Sequence, residues 1–193
     1  LSCAGHKTLQ TPNIDRLATE GTRFTQFYVA SPICSPSRAA ILTGRFPGRV
    51  GLTTFLHTRV HNTENQQADY LDPKVPTLPR ILKSAGYATG HFGKWHVGGG
   101  RDVNDAPPIA AYGYDESVST LESPSPDPKL GRYPIWAEKE KPEIPRHAQT
   151  AYIVDKAIDF MTRCKDKPFF VTLWPQDIHS PWRPSPEMIT KFK

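Results

Sequence analysis

The sequence predicts an α/β fold with a largely parallel sheet and helices on both faces. Helix punctuation followed by strand-type residues occurs three times along the 193-residue chain. The last strand-type run, FFVTLW at Phe169–Trp174, is apolar throughout, as expected of a strand covered on both sides. A hydrophobic content of 37% supplies a core of one-domain size.

The elements follow in order. Thr11-Pro12 opens a short helix with Ile14, Leu17 and Ala18 on one face, closed by Gly21. Thr22 to Val29 (TRFTQFYV) is β-branched and aromatic and reads as a strand. Ser35-Pro36 places a capping hydroxyl and a first-turn proline ahead of AAILT, and Gly44 stands where a left-handed C-cap belongs. Thr77 caps a third helix through Leu78, Ile81, Leu82 and Ala85, stopped by Gly86, before a strand from Tyr87 to Phe92. Ile153, Ala157, Phe160, Met161 and Cys164 share one helical face, which assigns Cys164 to packing.

Two segments break this grammar. Leu56 to Val75 is polar and carries His57 and His61; Gly98 to Arg146 holds eight of the twenty prolines and no helical period. Both read as long excursions over the surface, of the kind that forms lids or substrate walls.

Composition excludes several classes. No apolar run approaches the roughly 18 residues of a membrane span, and LSCAGHKTLQ is not a signal-peptide leader. Cys3, Cys34 and Cys164 are too few and too far apart for a disulfide scaffold or zinc ribbon. The net charge of +5 comes from scattered basic residues without a stripe, which argues against nucleic acid as partner and is compatible with an anionic substrate.

Open parallel sheets bind ligands beyond the carboxyl ends of their strands. Three polar clusters fall there: Cys34-Ser35-Pro36-Ser37-Arg38, Gly93-Lys94-Trp95-His96 and Asp177-Ile178-His179. Cys34, just ahead of a helix, sits where unpaired N–H groups and the helix dipole favour negative charge, either a bound oxyanion or a thiolate. A buried structural cysteine is the bland alternative. Lys94 is not part of a phosphate loop, because Ala88 stands at the first glycine position and Trp95 replaces the hydroxyl residue after the lysine. Gly98-Gly99-Gly100 makes no dinucleotide fingerprint.

The run CSPSRAAILTGR at 34–45 resembles the signature of the type I sulfatases. TPNIDRLATEGTRFTQFYVASPICSPSRAAILTGRFPGRVG, TLPRILKSAGYATGHFGKWHVGG and KPFFVTLWPQDIHSPW are similar to successive blocks of the sulfatase catalytic domain. The resemblance implies the alkaline-phosphatase-like superfamily fold. It implies oxidation of Cys34 to Cα-formylglycine by a maturing enzyme that reads Cys34, Pro36 and Arg38. The hydrated aldehyde would attack sulfur, form a covalent sulfated intermediate and expel sulfate through its second hydroxyl. Arg38 and Lys94 would hold the diol and the sulfate oxygens, His96 would act as base on the diol, and His179 would bind sulfate or protonate the leaving alcohol.

The family also implies calcium. Its Asp-Asp pair is expected before LSCAGH and a later Asp-Asn or Asp-His pair, with another lysine, beyond Lys193, leaving only Cys34, as formylglycine, from the metal shell. Asp15, Asp155, Asp159 and Asp177 are not ligand candidates. Residues 1–193 are thus expected to be a partial N-terminal catalytic domain lacking its first strand and C-terminal part, with 98–146 a Pro-rich excursion inside it. The family address is periplasmic, secreted or lysosomal, and an aryl or carbohydrate sulfate is the expected substrate. Three alternatives stay open: a phosphonate or phosphodiester hydrolase with the same site, a thiolate enzyme pairing Cys34 with His96 or His179, and a non-catalytic anion-binding module.

Overall fold

The computed structural model describes residues 1–120, 122–131 and 142–191. Helix α1 is Pro12–Glu20, α2 Cys34–Thr43, α3 Arg59–Glu64 and α4 Leu78–Ser84. Strands β1 (Ala88–Gly93) and β2 (Glu116–Ser119) precede α5 (Gln149–Arg163), β3 (Phe169–Trp174) and α6 (Pro186–Lys191). The three strands form one parallel sheet in the order β2-β1-β3, with Ala88 opposite Phe169 and Gly93 opposite both Trp174 and Ser119.

Side chains alternate across β1, and each set has its own core. Ala88 and Phe92 pack with Ile153, Ala157 and Phe160 of α5. On the other face Trp174 packs against Ala39 and Leu42 of α2 with Trp95, Tyr112 and Tyr114. Both faces of the central strand β1 are covered, whereas β3, expected to be covered on both sides, is an edge strand of the described sheet with Phe169 and Leu173 exposed.

Several expectations need correction. Thr22 to Val29 is not a strand: it is irregular, and Phe24, Phe27, Tyr28 and Val29 lie exposed. β-branched and aromatic composition marks a segment that fits a pleated surface, and among the described residues no neighbouring strand pairs with it. Helix α2 starts at Cys34 rather than after a Ser35 cap; Ser35 is buried and its Oγ accepts the Leu56 N–H at 3.0 Å. Thr77 holds the N-cap position of α4, yet its hydroxyl donates to the Tyr112 carbonyl.

The two excursions are not surface loops. The first contains α3 and buries Leu56, Asn62 and Leu71. The second contributes β2 and the buried Val103, Ile109, Tyr112 and Tyr114. The proline-rich stretch is thereby a structural part of the sheet, and residues 132–141 within it lie outside the described residues. Gly44 does adopt the left-handed C-cap conformation, at φ 64°. Cys164 packs against the α5 core as expected.

Gly93 ends β1 at φ 116°, and a Cβ there would collide with the Trp174 carbonyl oxygen. Gly93→Ala is expected to cost about 3 kcal/mol through combined backbone strain and collision with backbone atoms. Urea unfolding of the variant measures this; a cost below about 1 kcal/mol would contradict the close approach.

Candidate active site

Parallel pairing continues one residue past β1. The Lys94 N–H donates to the Trp174 carbonyl at 2.9 Å, and the Gly93 carbonyl accepts from Thr120 at 3.2 Å. Lys94 is thereby set between the carboxyl ends of β3 and β2. Helix α2 then reaches across: Arg38 Nη1 donates to the Lys94 carbonyl at 2.6 Å, and its guanidinium lies 4.5 Å from the centre of the Trp174 ring. A charge-assisted bond and a cation–π contact hold Arg38 in one orientation.

These groups line a cavity of about 400 Å³ together with Cys34, Ser37, Gln176 and His179. Cys34 occupies the first turn of α2, where helix N–H groups lack intrahelical partners and the dipole is positive. His179 lies on the exposed loop after β3, its Nδ1 donating to the Ser180 carbonyl at 2.7 Å. That loop is tied back through the Gln176 carbonyl, which accepts from Arg146, and through Gln176 Nε2, which donates to Gln149 at 3.0 Å. Val29, Ile33, Ile41 and Trp174 supply the apolar part of the wall. Of the expected site residues, Cys34, Arg38, Lys94 and His179 therefore share one cavity.

His96 does not line it. Its ring is buried behind Lys94, with Nε2 donating to the Leu56 carbonyl at 2.9 Å and Nδ1 3.3 Å from Glu122 Oε2. Burial pulls the imidazole down to about 4 even though Glu122 pulls the other way. Pro36 is buried in α2. For Arg38, burial lowers the pKa to about 10, with Cys34 and Glu122 opposing, so the guanidinium stays charged at neutral pH.

The residue that sequence reading misses is Glu122. It is 5% exposed, with Oε2 3.1 Å from Lys94 Nζ and Oε1 2.9 Å from Arg101 Nη2. Burial alone would raise its pKa; His96, Lys94 and Arg101 outweigh that and hold it below the ordinary carboxylate value. One signal was available. A lone acidic residue in a Ser- and Pro-rich stretch (Ser117 to Pro126) needs a cationic partner if that stretch enters the core.

Other carboxylates are engaged elsewhere. Asp15 accepts from Ser2 and the Cys3 N–H, Asp159 pairs with Arg163, and Asp155 is exposed on α5. Among the described residues no three His, Cys, Asp or Glu side chains converge so as to hold a metal ion.

A family model described as Sulfatase matches residues 1–193. The chain belongs to the sulfatase family. Human N-acetylgalactosamine-6-sulfatase is 34% identical over 203 residues, covering 94% of this chain and 37% of that protein. Mouse steryl-sulfatase is 48% identical over 98 residues, covering 51% of this chain and 16% of that protein. Among solved structures, a sulfatase from glycosaminoglycan metabolism in Bacteroides thetaiotaomicron superposes with a TM-score of 0.72 at 26% identity, covering 98% of this chain and 50% of that one. A protein solved with its substrate D-glucosamine-2-N,6-O-disulfate gives 0.68 at 28%, covering 100% of this chain and 34% of that one. The parallel sheet with helices on both faces is thus a part of the alkaline-phosphatase-like sulfatase fold. The chain spans little more than a third of the human relative. No helix among the described residues is long and apolar enough to cross a membrane.

The buried imidazoles give the sulfatase chain a definite pH response. His91 and His96 sit at about 3 and about 4 when folded, against an ordinary 6.5, both chiefly through burial. Between roughly pH 4 and 6.5 the unfolded chain binds protons that the folded chain refuses, so stability rises with pH across that window. Glu122, depressed below its ordinary 4.5, adds stability above that value that is lost further down. Unfolding midpoints in urea are therefore expected to fall on acidification from pH 6.5 to 4, with a shallower slope for His91→Gln. A midpoint indifferent to pH across that range would contradict the burial of both rings.

Proposed function

We propose that the protein containing this chain hydrolyses a sulfate monoester, with Cys34 converted to formylglycine. The observation that carries the reading is the single cavity shared by Cys34, Arg38, Lys94 and His179. Cys34 is half-buried and borders that cavity, a position that suits an aldehyde facing an anion. When formed, the hydrated aldehyde supplies a nucleophilic oxygen and a second hydroxyl through which sulfate is released.

The chain's own residues supply the electrostatics. Arg38 and Lys94 present two cations held by the Lys94 carbonyl, the Trp174 ring and Glu122. Such preset donors stabilise charge that grows on sulfuryl oxygens without reorganising during the reaction. The α2 N–H groups face the same oxyanion. His179, on the exposed side of the cavity, is placed to meet the leaving alcohol and donate its proton. His96 stands behind Lys94; to serve as base it would exchange its Leu56 carbonyl bond for one to the diol. The polar groups thus converge on an ester's sulfate end, and the exposed apolar wall meets its alcohol.

The donors present do not suit calcium on their own, since no acidic side chain among the described residues lines the cavity. Calcium belongs to this proposal only with carboxylates from outside these 193 residues, and no step above runs through it. The maturing enzyme is proposed to read Cys34, Pro36 and Arg38 in an extended chain, because in folded α2 Pro36 is buried and Arg38 is bonded to Lys94. An aryl or carbohydrate sulfate and an extracytoplasmic address complete the reading. The relative named N-acetylgalactosamine-6-sulfatase supports a carbohydrate sulfate, and the one named steryl-sulfatase supports a sulfate on an apolar ring system.

Peptide mass analysis of the whole protein is expected to show formylglycine at position 34, and aryl sulfate to be turned over faster than aryl phosphate. An unmodified thiol with full activity would replace the reading by thiolate chemistry. In the modified protein Lys94→Ala is expected to lower turnover by about two to three orders of magnitude, the usual loss for a transition-state charge donor. Unchanged turnover would remove Lys94 from the mechanism. Calorimetric titration of the 193-residue chain with calcium is expected to show only weak binding, and tight binding would place ligands within it.

A further inference from the structure

Arg38 and Lys94 line the cavity, and a third cation, Arg101, is joined to Lys94 through Glu122. Cations gathered in a low-dielectric interior repel one another, and a flexible ammonium escapes to water unless a counter-charge holds it. The carboxylate of Glu122 bridges two of the three, Lys94 through Oε2 and Arg101 through Oε1.

The position of that carboxylate is built by backbone rather than by adaptable side chains. Glu122 has φ 65°, and its carbonyl accepts the His96 N–H at 3.0 Å. His96 and Arg101 also have left-handed backbones, at φ 52° and 56°. Gly100 packs so closely that a Cβ would stand 2.8 Å from the Glu122 Cα. Left-handed conformations at non-glycine residues persist only where surroundings over-determine them. Two such residues and a glycine contact thus surround Glu122, itself left-handed.

We propose that Glu122 is a positioning residue that aims the Lys94 ammonium into the anion cavity. The inference rests on the reading of that cavity as the sulfate-ester site, and it adds a residue that the sulfatase signature around Cys34 does not contain. Charge bookkeeping agrees: three cations against one carboxylate leave the region cationic, so Glu122 restrains Lys94 without cancelling the attraction for an anion. Restraint ahead of binding spares the ordering of a long side chain when substrate arrives.

The test follows Lys94 directly. In the purified whole protein, acetylation by an amine-reactive ester is read by peptide mass, with the exposed Lys167 as internal control. Glu122→Gln is expected to raise the labelling rate of Lys94 about tenfold while Lys167 stays unchanged, because the ammonium loses a charge-assisted anchor. Unchanged Lys94 labelling would overturn the proposal. A parallel rise at both lysines would also overturn it, since that reports general loosening. Should the Gln variant fail to fold, Arg101→Gln removes the second anchor of the carboxylate and is read with the same outcomes.

Turnover separates this proposal from the one beneath it. Glu122→Gln is expected to lower kcat/KM on 4-nitrophenyl sulfate about tenfold, and to change it less than twofold when Lys94 is already alanine. Equal losses in both backgrounds would mean that Glu122 does not act through Lys94. If the parent protein turns over no sulfate ester, the functional reading fails and the labelling experiment still decides the role of Glu122.

Discussion

The pairing of β1 with β3 is the constraint on which the site depends. It runs in register from Ala88 opposite Phe169 to Gly93 opposite Trp174, and the next N–H, that of Lys94, still bonds the Trp174 carbonyl. That last bond delivers the lysine backbone and the indole to one point. Arg38 then needs only that point for its two anchors, a carbonyl and a ring face. A hydrogen bond to a neutral group is worth only about 1 kcal/mol net, so the arrangement draws its order from packing and from several such contacts acting together.

Much of this was legible in the sequence. Apolar character in FFVTLW identifies a parallel strand, though β3 lies at the edge of the described sheet with Phe169 and Leu173 exposed, and helical spacing from Ile153 to Cys164 identifies the face that packs on the sheet. Gly44 and Gly86 mark helix ends by their tolerance of positive φ, at 64° and 89°. Lys94 and His179 were legible from their places after β1 and β3, whereas Cys34 and Arg38 reach the same edge from α2, behind a segment that is not the strand its composition predicts. The family resemblance singled out these four together with His96, which does not line the cavity.

The remainder was hidden for identifiable reasons. TRFTQFYV has strand composition, but composition records a fit to a half-buried pleat, and this segment has no strand beside it among the described residues. Conversely, ESVS carries weak strand character and yet forms β2, because parallel pairing with β1 overrides local preference. Glu122 and the withdrawn position of His96 depend on the path of a proline-rich segment back to the sheet. Such a return is a long-range fact with no local period to announce it.

The indole beneath Arg38 has a consequence of its own. Trp174 borders the cavity while bearing a guanidinium 4.5 Å from its ring centre. Any anion that draws that guanidinium toward itself changes the electric field across the indole, and with it the colour of its emission. The emission of Trp174 would thereby report an anion bound beside Arg38.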